Sequence, residues 1–157
     1  LFLTLLALWR EWSLPASVAA VSVLLLEMVW IADFVIRLTL GADVIGIARY
    51  MFDDALPLYL RAISLFHVVL PMLMLWLLHR LRYDRRVLIA QSALAWIVLP
   101  LSWLLTGPED NVNWVYGFDG PQSWIHRLAW LGLMMVGLPA MVYLPTHLLL
   151  ARAFRKG

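Results

Sequence analysis

A chain of 157 residues that is 64% hydrophobic and 14% charged lies far from a soluble domain, which is about 45–50% apolar and about 25% charged. The length suits a single domain, residues 1–157, and the net charge of +2, with its basic residues clustered locally, excludes a nucleic-acid surface. Zero cysteines exclude disulfides, thiolate metal sites and a cysteine nucleophile.

The apolar run from Leu1 to Trp9 reads as the end of a span. A signal peptide would show a basic segment before such a run and a small-residue cleavage site after it. Four windows then approach the roughly 20 apolar residues that cross a bilayer. They are residues 14–40, 58–78, 87–106 and 125–151. The ten-residue alternation of a membrane β-barrel is missing. The expected fold is all-α: a polytopic transmembrane helical bundle with four full spans and a partial N-terminal one. The nine Trp and five Tyr suit its interfaces.

Loop charges predict the orientation. Loop 79–86 carries four arginines against Asp84, and the tail carries Arg152, Arg155 and Lys156. Loop 41–57 sets Asp43, Asp53 and Asp54 against Arg49, and loop 107–124 holds Glu109, Asp110 and Asp119. Basic loops stay in the cytoplasm. The chain is therefore expected in the bacterial cytoplasmic membrane, with loop 79–86 and the C-terminus inside and loops 41–57 and 107–124 outside.

Ionisable residues within spans mark candidate sites, because each costs roughly 2.5–3.5 kcal/mol at a helix centre unless it finds a partner or water. In the first full span, Asp33 and Arg37 stand at i, i+4 with the acid first, which predicts an ion pair on one helix face close to Trp30. Glu27 lies deeper and off that face. It needs a donor from another helix or a bound proton. In the second span, Arg61, Ser64 and His67 recur every third residue, and Pro71 cannot donate to the carbonyl of His67. That freed carbonyl beside an imidazole predicts a polar pocket.

Two later regions extend the candidate set. Asn111, Asn113 and Trp114 sit in a turn-rich loop before the last span, which opens on His126 and Arg127, and the loop is expected either to cap the His67 pocket or to anchor at the interface. Pro139 and Pro145 predict a kink or local unwinding in the last span. Tyr143 and His147 are i, i+4 neighbours there, a second possible polar site. HExxH, CxxC, Walker-type and GxSxG motifs are absent from the sequence.

Four strings carry a resemblance. They are Tyr50-Met51-Phe52-Asp53, Ser64-Leu65-Phe66-His67-Val68-Val69-Leu70-Pro71, Asn111-Val112-Asn113-Trp114-Val115-Tyr116-Gly117 and Val142-Tyr143-Leu144-Pro145-Thr146-His147. They resemble the signature stretches of a family of small uncharacterised bacterial multi-spanning proteins, described only as membrane-associated. The resemblance covers most of residues 30–150. It implies an inner-membrane location and brings no activity. The loop at Asn111 is also similar to an Asn-rich loop in an intramembrane acyltransferase-like family, from which this chain departs in having no cysteine for acyl transfer.

Three functions are expected to compete. The first is a non-catalytic accessory or ligand-binding subunit of a larger membrane complex, with membrane lipids, other subunits or a hydrophobic cofactor such as a quinone or pigment as partners. Its binding residues are expected among Arg37, Arg61, Ser64, His67, Asn111, Asn113, Trp114 and His126. The second is an intramembrane lipid-modifying enzyme at the outer leaflet, with His67 as general base, Arg61 or Arg37 holding a phosphate or carboxylate, and Asp33 or Asp53 orienting the base. The third is a proton- or ion-coupled carrier resting on Glu27 and Asp33. No metal centre is expected. A lone imidazole can ligate haem or a chlorophyll magnesium, but no spacing specifies a cofactor.

Overall fold

The computed structural model describes residues 2–118 and 120–154. The expectations that fell on Leu1, Asp119, Arg155 and Lys156 lie outside those residues. Among the described residues all regular elements are helical. They are α1 (Phe2–Arg10), α2 (Ser13–Leu40), α3 (Leu58–Ile63), α4 (Phe66–Leu81), α5 (Val87–Leu105), α6 (Arg127–Gly137), a π-helical segment (Leu138–Tyr143) and α7 (Leu144–Ala153). Short 3-10 turns occur at Arg49–Phe52 and Val112–Trp114. Four stretches are long and apolar enough to cross a bilayer, Ser13–Leu40, Leu58–Leu81, Val87–Leu105 and Arg127–Ala153. Each matches an expected window to within a few residues. The partial first span is a separate nine-residue helix, turned away from α2 at Glu11, whose φ is 51°.

Helix α2 is the centre of the molecule. It packs against α1, α4, α5, the π segment and α7. Its first half places Ala16, Ser17, Ala19 and Ala20 in the buried seam. Side chains this small let neighbouring backbones approach closely, as apolar packing without a solvent-driven force requires. Val21 and Leu24 continue the seam and meet Leu77, Leu78, Val87, Ala95 and Leu99 in the apolar core.

Two of the long stretches are irregular. The second span is broken at Ser64 and Leu65, where the Ser64 N–H is shared between the carbonyls of Leu60 (3.3 Å) and Arg61 (3.2 Å) in a tightened turn. Pro71 itself lies inside α4, so the break falls one to two turns upstream of it. In the last span Pro139 leaves the carbonyl of Met135 without its helical donor. The indole Nε1 of Trp96 crosses from α5 to supply one at 2.7 Å. The following turns widen into the π segment, the expected unwinding.

The basic-loop end is tied by two polar contacts. The Asp84 N–H donates to the Ser17 hydroxyl at 2.9 Å, and the Tyr83 hydroxyl meets His147 Nδ1 at 2.8 Å. The latter corrects the expected Tyr143–His147 pair. His147 is engaged by a tyrosine from the other side of the bundle, and Tyr143 is buried in a cleft wall instead.

Candidate functional site

The ion pair expected between Asp33 and Arg37 does not form. Asp33 is 1% exposed, and its carboxylate accepts hydrogen bonds from the backbone N–H groups of Ile45 (3.0 Å), Gly46 (3.1 and 3.3 Å) and Ala48 (3.0 Å). Those donors belong to the loop leaving α2, which turns at Gly41 and folds back over the helix end. Gly46 has φ +87°, a conformation that aims its N–H into this nest and that side chains with a Cβ rarely adopt. Arg37 reaches Asp43 at 3.0 Å and lies over the Phe52 ring. Asp43 also takes Arg49 at 2.6 Å. Three preorganised donors outcompete one flexible guanidinium for Asp33. They come from 12–15 residues downstream, beyond the reach of spacing rules.

Glu27 found the interhelical donor it needed. Halfway along α2 and 7% exposed, it places Oε2 2.6 Å from His67 Nδ1 on α4. Trp30 stacks on the same imidazole with ring centroids 4.5 Å apart, and Phe66 tilts against it at 4.0 Å. Glu27 therefore orients His67, in place of Asp33 or Asp53. The rest of the expected catalytic set is occupied elsewhere. The Ser64 hydroxyl donates to the Leu60 carbonyl, and Arg61 pairs with Asp54 at 3.3 Å. Asp33, Arg37, Arg61 and His67 thus have four different partners and do not converge on one centre.

The Asn111 loop is held by itself and by its neighbouring helices. The Asn111 side chain donates to the Gly117 carbonyl (2.7 Å) and accepts from the Tyr116 N–H (3.0 Å). Asn113 donates to the Ser102 hydroxyl on α5 at 2.7 Å. The Trp114 carbonyl accepts from the Trp130 indole at 2.9 Å, and Phe118 and Trp124 meet the same Trp130 ring edge-on. His126 caps α6, its Nδ1 accepting from the Leu128 N–H. These contacts anchor the loop to α5 and α6, not over His67 on α4.

A different site opens on the far side of α2. Between α2, α5 and the π segment lies a cleft of about 430 Å³. Its walls are mostly apolar, with Ser22, Gln91 and Tyr143 along it and Asn113 and Trp114 at its loop end. Gln91 is 5% exposed, its side-chain amide meets the Tyr143 hydroxyl, and its Oε1 has no hydrogen-bond partner among the described residues. A buried acceptor left unpaired costs about 1–3 kcal/mol. A mainly apolar hollow with a few converging polar groups is the general form of a small-molecule site. Of the expected ligand residues, Asn113 and Trp114 line it. Ser22 and Gln91 were missed, although an amide amid apolar helix residues is visible in the sequence. The cleft exists because the π segment widens the last span opposite α5, and that widening has no side-chain period to reveal it.

No cluster of three or more His, Asp or Glu suited to a metal ion occurs among the described residues. In comparisons with known proteins, no family model, curated protein or solved structure matches the chain.

Proposed function

We propose that this chain is a four-span α-helical protein of the bacterial cytoplasmic membrane that binds a hydroxyl-bearing amphiphile, a lipid or a reduced quinone, in the Gln91 cleft, as the accessory or ligand-holding subunit of a larger complex. The observation that carries the reading is the buried Oε1 of Gln91, without a partner among the described residues, beside the Tyr143 hydroxyl in a mainly apolar hollow. An acceptor there asks for a donor, and a hydroxyl supplies one. From Gln91 to Leu99 the cleft follows α5 for about 12 Å at 1.5 Å per residue, so a chain lying along the helix fits better than a compact solute. The acidic and basic loops support the orientation stated from the charges.

Mass spectrometry of the protein released intact from mild detergent tests the proposal. Native protein is expected to carry a lipid-like mass that Gln91→Leu loses and Gln91→Asn partly keeps. A native protein free of such a mass, or Gln91→Leu retaining it in full, overturns the reading.

A further inference from the structure

Glu27 and His67 point to a second activity, separate from amphiphile binding. The 2.6 Å contact joins Oε2 to Nδ1, so a proton lies between the two rigidly placed atoms. The other carboxylate oxygen, Oε1, has no hydrogen-bond partner among the described residues. Glu27 also lines a cleft of about 320 Å³ on the α1 side of α2, together with Thr4, Ser22 and Met74. Thr4 is 4% exposed, and its hydroxyl there has no partner among the described residues. Buried polar groups without partners in a polar-edged hollow are where ordered water sits.

We infer that the Glu27–His67 pair is a proton-binding site, loaded from water in the Thr4–Ser22–Glu27 cleft. When the bridge holds a single hydrogen, the pair accepts one further proton from a cleft water and leaves hydroxide, which bulk buffer neutralises. The proton resides on Glu27 Oε1 or on His67 Nε2, with the bridging hydrogen shifting to match. Among the described residues no other charged group contacts the pair. Helix α1 offers Thr4, α2 offers Ser22 and Trp30, and α4 offers Phe66, Leu70 and Met74. The nearest ionised groups on the same two spans, Asp33 and Arg61, are held by the loop backbone and by Asp54. The Ser64–Leu65 break lies just before His67, so the span carrying the imidazole has a joint beside the charge that changes.

The test is a pH titration of the whole chain in lipid nanodiscs, counting protons with an indicator dye and following carboxyl bands by infrared difference. Native protein is expected to take up one proton more than the Glu27→Gln, His67→Gln double variant, with a carboxyl band that changes in the same step missing from the variant. Thr4→Val should shift the midpoint while keeping the step. Identical titration of the native protein and the double variant overturns the inference. If the double variant fails to fold, the imidazole 15N shifts of His67 in native protein decide. They must move through the same pH interval, and constant shifts across the folded range overturn it.

Discussion

The carboxylate of Asp33 and the carboxylate of Glu27 stand on one helix, yet their neighbours give them opposite characters. Asp33 is surrounded by three backbone donors that cannot be titrated away, and it serves as a clasp. Glu27 meets a single imidazole, and on the proposed reading the two share and exchange a proton. Replacing Asp33 by Ala strips the nest of its only carboxylate, and two or three orphaned N–H groups at about 1–3 kcal/mol each, part of it recovered from water, lead to a loss of about 2–5 kcal/mol. Limited proteolysis should then cut within residues 41–57 of Asp33→Ala and spare that loop in the native protein. Arg37→Ala removes a pair whose side chains are 24% and 29% exposed and whose acid keeps Arg49, and should change stability by no more than about 1 kcal/mol in a detergent melt. At this scale the sequence flagged the right ionisable residues. It could not pair them, because the partners of Asp33, Glu27 and His147 come from loops and helices far along the chain, and spacing speaks only of one helix face.

Element boundaries were far more legible, since each apolar window ends where loop residues begin. Pro139 and Pro145 announced an irregular last span, though neither its π form nor the indole that serves it was foreseeable. Trp96→Phe keeps the ring and deletes the donor to Met135, and about 1–2 kcal/mol of stability should go with it in thermal unfolding. The turn joining α4 to α5 has its own pH response. Arg86, through its side-chain hydrogen bond with help from its backbone N–H, holds the Asp84 carboxyl below the ordinary carboxylate value, and partial burial opposes this. A lowered folded value means that the contribution is present above about pH 4 and fades as pH falls through the folded value. Amide exchange at residues 82–86 is therefore expected to quicken on acidification while the α5 amides stay protected. At the alkaline end, burial and the Asp84 charge push the Tyr83 hydroxyl upward, so its link to His147 outlasts the ordinary tyrosine value near pH 10, and the stability it lends is full below that value and fades as pH climbs beyond it.

Across the whole molecule, charge asymmetry supports one proposed arrangement, with the Arg-rich loop and the C-terminus on one side and the two acidic loops on the other. The absence of native cysteine makes this directly measurable. A lone cysteine at Arg85 should react with an impermeant maleimide only after the cytoplasmic face is opened, and a lone cysteine at Asp54 or Glu109 should react in intact cells. Reaction of all three from outside would reverse or break the arrangement.

Helix α2 has 28 residues, about 42 Å at 1.5 Å per residue, against a hydrocarbon thickness of about 30 Å. A rod that long is ordinarily free to tilt or to slide along the membrane normal. Here both ends are moored, by the Asp33 clasp at one and by the Ser17–Asp84 bond at the other. The position of α2 against its flanking loops is thereby set by hydrogen bonds within the chain. On the proposed reading α2 behaves as a datum against which the shorter, proline-broken helices adjust. Changing bilayer thickness should then tilt α4 and the last span while leaving the height of Glu27 unchanged.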